Sequence, residues 1–254
     1  MTTRLFHISD VHFGVEDSAA LAAVAQAVAQ ERPDAVVCTG DLTQRAKHSE
    51  YARAAEWFAS LGVPVVLEPG NHDMPYYNPW ERFTDPFRRY NRLRAAVPGG
   101  FASDDVVLVP LLTTVRAQTR IPWSDGVIKP AALAATVAQL AALKGDPRSI
   151  IVTAHHPLLG PHDGEGAKNP TIGGDAAFAA VAAAGADAIM SGHVHVPFDE
   201  VRSRDGHATR MIGAGTLSTR LRHGAPASWR VITCERGGVI TTELRLATAS
   251  AQVT

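Results

Sequence analysis

The feature that most constrains this chain is a repeated local pattern, in which a short apolar or β-branched run stops at Asp, Asn or His. Leu5 to Ser9 runs into Asp10-Val11-His12, Ala35 to Thr39 into Gly40-Asp41, and Val63 to Leu67 into Gly70-Asn71-His72-Asp73. Ser149 to Ala154 leads to His155, and Asp187 to Ser191 leads to Gly192-His193-Val194-His195. Short apolar runs bounded by turn residues read as buried strands. Each strand therefore delivers a metal-capable side chain at its carboxyl end.

The segments between these strands carry helical spacing. Leu21, Val24 and Val28 recur on one face after Asp17 and Ser18, either of which can cap a helix that ends before Pro33. A second helix is expected over His48 to Leu61, with Ala52, Ala55, Trp57, Phe58 and Leu61 as its apolar face and Gly62 and Pro64 as its stop. Alanine-rich helices are expected around Ala131 to Leu143 and Asp175 to Ala184. Strands alternating with helices imply an α/β fold with a largely parallel sheet.

After residue 195 the pattern changes. Glu200 to Arg202, Arg210 to Ile212, Trp229 to Thr233 and Val239 to Arg245 read as strands of an antiparallel half, and Gly237-Gly238 reads as the turn of a hairpin. We expect one domain over residues 1–247, with a frayed polar tail over 248–254. Residues 74–94 stand apart as an excursion. Tyr76, Tyr77, Trp80, Phe83, Phe87 and Tyr90 are interleaved there with Arg82, Arg88, Arg89, Arg92 and Arg94. They are expected to form a wall on the substrate side of the site, or else to staple a helical excursion to the core with the arginines solvated.

Composition narrows the function classes. A net charge of −1 over 254 residues supplies no long-range field to gather nucleic acid. Cys38 and Cys234 lie far apart with no CxxC spacing, so they read as buried thiols rather than metal ligands. The first residues run directly into a strand, which leaves no room for a cleavable leader, and the alanine-rich runs fall short of the roughly 20 residues that span a bilayer. The expected location is cytoplasmic, with no membrane partner.

The chemistry is carried by the strand ends. Asp10 and His12 are two apart in an extended segment and so share a face, and His193 and His195 repeat that spacing. In open α/β sheets the crevice beyond the carboxyl strand ends is where ligands bind, so these positions should assemble one site. Five of the eleven histidines fall at such positions, too many for a scatter of surface turns. Oxygen and nitrogen donors without thiolate suit Zn, Mn, Fe or Co. His156 is expected to point away from the site if the strand stays extended through it. His7, His48, His162, His207 and His223 have no partner at ligand spacing, although His162, in the Gly160 to Gly166 loop, is a candidate to approach substrate.

The ordered set Asp10-Val11-His12, Gly40-Asp41, Gly70-Asn71-His72-Asp73, His155 and Gly192-His193-Val194-His195 resembles the signature of the calcineurin-like metallophosphoesterases. The resemblance runs to residue 195, and the layout looks like the short bacterial branch acting on cyclic nucleotides or glycerol-type diesters. It implies a four-layer αββα sandwich with two mixed β-sheets. It also implies two metal ions, one held by Asp10, His12, Asp41 and His195, the other by Asp41, Asn71, His155 and His193, with Asp41 bridging. His72 would stand beside the substrate phosphate as a catalytic group, with Asp73 orienting or polarising it.

Two such cations would lower the pKa of a bridging water and neutralise charge on the phosphate during in-line attack. The expected function is hydrolysis of a small phosphodiester. A phosphomonoesterase or DNA nuclease on the same site is the alternative enzyme, and a non-catalytic interaction module the alternative class. A homodimer through Trp80, Trp123 or Trp229 is equally well replaced by burial of those residues in the core.

Overall fold

The computed structural model describes residues 2–121, 123–160 and 170–247. The expectations for His162 and for the tail over 248–254 lie outside them. The first stretch of chain alternates strand and helix: β1 (Thr3–Ile8), α1 (Ser18–Glu31), β2 (Ala35–Cys38), α2 (His48–Ser60) and β3 (Val65–Leu67). Asp17 caps α1 by accepting hydrogen bonds from the amides of Ala19 and Ala20. Arg32, in the left-handed region with φ 48°, ends the helix by closing onto the carbonyl of Val28 before Pro33 blocks further turns.

The excursion after β3 contains α3 (Pro79–Thr84) and α4 (Arg88–Ala96). Next come β4 (Val106–Pro110), α5 (Pro130–Ala142), β5 (Ser149–Thr153), α6 (Gly174–Ala183) and β6 (Ala188–Ser191). The chain closes with β7 (Phe198–Arg204), β8 (His207–Gly213), β9 (Ser228–Glu235) and β10 (Val239–Leu246).

The strands form two five-stranded mixed sheets. The first has the order β10-β9-β1-β2-β3 and the second β4-β5-β6-β8-β7. In the first, β1, β2 and β3 are parallel while β9 and β10 run antiparallel; in the second, β4, β5, β6 and β8 are parallel and only β7 is antiparallel. The part after residue 195 is thus not wholly antiparallel: β8 runs parallel to β6. Its two hairpins go to different sheets, with β9-β10 as the hairpin expected around Gly237 and Gly238. The strand β4 lies outside the expected set; it sits at a sheet edge beside β5, where Pro110 is tolerated at its end.

Alternation along the strands sorts the apolar residues into three cores. Leu5, Val37, Ile151, Met190, Ile212 and Ile232 come from both sheets and fill the space between them. On the outer face of the first sheet, Phe6, Ile8 and Val36 pack against Val24 and Val28 of α1 and Phe58 of α2. On the outer face of the second, Val152, Ile189 and Met211 pack against Leu140 of α5 and Phe178 and Val181 of α6. Helices, sheet, sheet and helices therefore stack as four layers, and burial of these apolar side chains at roughly 25 cal/mol per Å² holds them together.

The buried face of α2 differs from expectation. Tyr51, Ala54 and Phe58 are buried and Ala52 is exposed, a rotation of the helix that puts the Tyr51 hydroxyl on the carbonyl of Asp73. A buried polar anchor has overridden the alanine pattern, because an unbonded phenol in the core costs more than an exposed methyl gains. Cys38 and Cys234 are buried and unpaired, as expected. No helix among the described residues is long and apolar enough to cross a membrane.

Candidate metal centre

The carboxyl ends of β1, β2 and β3 of the first sheet and of β5 and β6 of the second meet at one place. From the first sheet come Asp10 and His12 after β1, Asp41 after β2, and Asn71 and His72 in a 3₁₀ turn after β3. From the second come His155 after β5 and His193 and His195 after β6. The donor atoms of Asp10, His12 and His195 lie within 4.8 Å of one another, and so do those of Asp10, Asp41 and His155, and those of His12, Asp41 and His72. The structure thus brings together the residues the sequence singled out.

The backbone is bent to do so. Asp10, His12, Asp41, His193 and His195 all have positive φ, between 50° and 69°. Each such residue costs on the order of 1–3 kcal/mol, and strain of this kind persists where surrounding structure over-determines it, commonly at functional sites. Space for the bends comes from glycine. A Cβ on Gly70 would lie 2.1 Å from Asp41 Oδ1, and one on Gly192 would lie 1.7 Å from Ser9 Oγ and 2.6 Å from Asp10 Oδ2. The backbone amides that follow hold the carboxylates: His193 N–H donates to Asp10 Oδ2 and His72 N–H to Asp41 Oδ1, each at 2.8 Å.

The ring tautomers follow from the carbonyls behind them. Nδ1–H of His155 donates to Thr39 O at 2.7 Å, and Nδ1–H of His195 to Arg220 O at 2.6 Å, so in the neutral rings the Nε2 lone pairs face the centre. There they meet other acceptors. His155 Nε2 lies 3.2 Å from Asn71 Oδ1 and 3.5 Å from Asp41 Oδ2, and His195 Nε2 lies 3.1 Å from Asp10 Oδ1 and 3.2 Å from His12 Nε2. Asp10 Oδ1 and His12 Nδ1 are buried without a hydrogen-bond donor or acceptor. Lone pairs gathered this closely need a cation among them, and this donor set fits a hard or borderline divalent metal. Asp41 Oδ2 is 3.6 Å from His12 Nε2 and 3.5 Å from His155 Nε2, so one carboxylate oxygen faces both donor groups.

Charge states agree with that reading. Burial alone would raise Asp10, but the charges of His195 and His155 hold it well below the usual carboxylate range. Asp41 behaves likewise, with burial outweighed by His155, His72 and His12. Burial lowers His12 and His193 to about 3, so both are neutral bases at physiological pH. His155 moves the other way: burial opposes its charge, but Asp41 and Asp10 raise it to about 9, so the two carboxylates favour a positive charge at this position.

Two neighbours correct the expectations. His156 does not point away: β5 ends at Thr153, the extended alternation stops, and the His156 ring packs on His193 with centroids 4.4 Å apart. Both of its nitrogens are engaged, Nδ1 with Thr113 Oγ1 and Nε2 with Ser124 O, so it buttresses the His155 and His193 rings instead of presenting a lone pair. Asp73 does not orient His72. Its carboxylate accepts from the amides of Gly70, Leu42 and Thr43 and from the Thr43 hydroxyl, while burial and the charge of Asp41 raise it to about 7. The His72 ring is instead set by Gln44 O, 2.7 Å from Nδ1.

The excursion does reach the site. Tyr76 and Arg82 join Asn71, His72, Ile121 and Trp123 around a cavity of about 550 Å³. Arg88 and Arg89 do not face it, because both converge on the buried Glu81. Trp229 is buried in the core, whereas Trp80 is 80% exposed. A different arginine, Arg220, stands at the centre with Nη1 3.1 Å from His72 Nε2. Its loop, between β8 and β9, carries no motif, and nothing local in the sequence marks it.

A family model described as calcineurin-like phosphoesterase matches residues 3–197. Among individual relatives, a protein named a probable cyclic nucleotide phosphodiesterase in Synechococcus sp. is 34% identical over 94 residues, covering 34% of this chain and 35% of that one. The glycerophosphodiester phosphodiesterase of Enterobacter lignolyticus is 38% identical over 80 residues, covering 27% and 29%. These matches span about a third of the length of each relative. The fold is shared with purple acid phosphatase from yellow lupin, at TM-score 0.70 and 14% identity over all of this chain and 53% of that one. It is also shared with the TT1561 protein of Thermus thermophilus, at TM-score 0.58 and 13% identity over 96% and 99% of the two chains.

Proposed function

The chain belongs to the calcineurin-like phosphoesterase family, and on that premise we propose that it is a metal-dependent phosphoester hydrolase, a two-metal phosphodiesterase acting on small diesters such as cyclic nucleotides or glycerol-type phosphodiesters. The observation that carries the dinuclear reading is the placement of Asp41 Oδ2, which faces His12 on one side and His155 on the other at nearly equal distance. In this reading Asp10, His12, Asp41 and His195 hold one cation, and Asp41, Asn71, His155 and His193 hold the other.

When bound, two such cations acidify water and draw charge from phosphoryl oxygens. The chain's own residues supply the rest. Carbonyls of Thr39 and Arg220 fix the His155 and His195 tautomers, and buried His12 and His193 stay neutral, so no proton competes with the metal at those two nitrogens near pH 7. His72 acts at the same centre through its Nε2 face, oriented by Gln44.

Preference for a diester rests on the cavity beside Asn71 and His72. A diester carries an organic group on each side of phosphorus, and the apolar wall of Tyr76, Ile121 and Trp123 offers a place for one of them. The names of the two relatives point the same way. The test is a paired assay on metal-reconstituted protein, with bis(p-nitrophenyl) phosphate against p-nitrophenyl phosphate. Diester turnover that Asp41→Ala abolishes is the expected result. Faster turnover of the monoester would move the assignment to a phosphatase.

A further inference from the structure

Arg220 brings a guanidinium into contact with a residue of the metal centre, and its contacts there are with neutral atoms. Nη1 lies 3.1 Å from His72 Nε2 and 3.3 Å from Gln44 Oε1, and among the described residues its side chain has no carboxylate partner. The tautomer of His72 sets the direction of the first bond. Nδ1–H of His72 donates to Gln44 O, so Nε2 accepts and Arg220 donates.

The arginine is therefore aimed by two acceptors in the segments that follow β2 and β3, while its remaining N–H groups stay uncommitted among the described residues. Its surroundings are those of a half-buried charge. The charges that favour it are the carboxylates of Asp41 and Asp10, and the guanidinium groups of Arg222 and Arg45 oppose it. The compensation comes from the two aspartates, and both face the place where cations would sit. With the metals bound that compensation is spent, and Arg220 is left beside cations with no anion of its own. A desolvated, unpaired charge is costly. The ligand that relieves it is an anion whose oxygens reach the metals and the guanidinium together.

We infer that Arg220 binds a phosphoryl oxygen of the substrate, held in place for it by His72 Nε2 and Gln44 Oε1. The planar fork of an arginine suits two oxygens of one phosphate, a match that lysine does not reproduce. This inference rests on the phosphoester reading of the site. Its residue has two separable roles: the main-chain carbonyl of Arg220 positions His195, and the side chain holds the anion.

Every substitution at 220 keeps the carbonyl, which makes the assignment testable. In the metal-loaded full chain, Arg220→Met is expected to retain wild-type metal content by elemental analysis. It should weaken binding of inorganic phosphate in calorimetric titration, and raise KM for bis(p-nitrophenyl) phosphate, by roughly 10- to 100-fold, the range for losing a charge-assisted contact. Arg220→Lys should fall between the two proteins. Phosphate affinity within twofold of wild type in Arg220→Met, with metals bound, would overturn the assignment, as would equal loss of metal in both variants. A wild-type protein that binds phosphate through Arg220 yet hydrolyses neither mono- nor diester would defeat the hydrolytic reading and leave this one standing.

Discussion

The first sheet brings carboxylates to the centre, and the second brings imidazoles. Asp10, Asp41 and Asp73 all follow strands of the first sheet, with Asn71, His12 and His72 among them, whereas His155, His156, His193 and His195 follow strands of the second. Metal-capable groups arise within each set, His12, Asp41 and His72 in the first and His155, His156 and His193 in the second, but those that join Asp10 to His195, and Asp10 and Asp41 to His155, need both sheets. Carboxylates supply negative charge and imidazoles supply borderline nitrogen donors, so the sheets together make a mixed donor set. The apolar layer between the sheets sets the two half-sites face to face, so the packing of Leu5, Val37, Ile151 and Met190 is also what assembles the centre. The contrast recurs within the first sheet. Asp10 and Asp41 face imidazoles and stay ionised, while burial and the like charge of Asp41 raise Asp73 to about 7 against the backbone amides that oppose it.

The contrast is most directly broken at Asp41, which faces imidazoles of both sheets through one oxygen. On the proposed two-metal reading, in which Asp41 is the shared ligand, Asp41→Ala should release both metals and lower kcat by roughly three orders of magnitude or more. His195→Ala should remove one metal and leave the other, with a fall of about a hundredfold, measured by elemental analysis alongside turnover. Equal metal loss in the two variants would show that the half-sites fill only together.

Chelation tests the same junction through stability. Metal binding to the folded state alone contributes about 2.7 kcal/mol at a hundred times Kd, which in a chain this long corresponds to a fall in Tm of roughly 5–10 °C on adding chelator. An unchanged Tm would mean that the two sheets hold the centre in place without the ions.

Glu68 probes a second contact between the sheets. It lies just after β3, is 7% exposed, and accepts a hydrogen bond from the Thr153 hydroxyl on β5 at 2.6 Å. Burial raises its carboxyl from 4.5 to about 7, with Thr153 and Arg94 opposing. The folded state therefore keeps the proton that the unfolded chain loses, and this stabilisation is complete below pH 4.5 and lost as pH rises through 7. Glu68→Gln should remove that dependence and exceed wild type at pH 8 by up to roughly 3 kcal/mol in urea unfolding, with little difference at pH 4. A constant difference at both pH values would place the carboxyl in water. The smallest effect is expected from Arg88→Ala: the side chain is turned to Glu81, so turnover should stay within about twofold of wild type.

Much of this was legible in the strand ends. D-x-H, G-D, G-N-H-D and G-H-x-H are local patterns, and their residues are close in sequence because a single strand end must present them. The glycines are legible as motif members, but what restricts them is not: Gly70 is crowded by Asp41, and Gly192 by Ser9 and Asp10, all distant in the chain. What was not legible depends on contacts made across the chain. His156 was misplaced because a period-two argument fails where the strand stops, and Asp73 was misassigned because neighbours in sequence within a 3₁₀ turn point to different partners. The arginines of residues 74–94 are dense in the sequence, yet Arg88 and Arg89 are satisfied by Glu81.

The sequence by itself determined which residues can ligate a metal, which strands carry them and in what order, because those properties are written within a few neighbouring positions. The tertiary structure decided how the strands divide between two sheets and that His156 packs against the rings of His155 and His193. It also decided that the arginine at the centre is Arg220, 148 residues from the histidine it touches. Pairings at that separation leave no local period in the chain, since they are set by the burial of apolar faces distributed over all four layers.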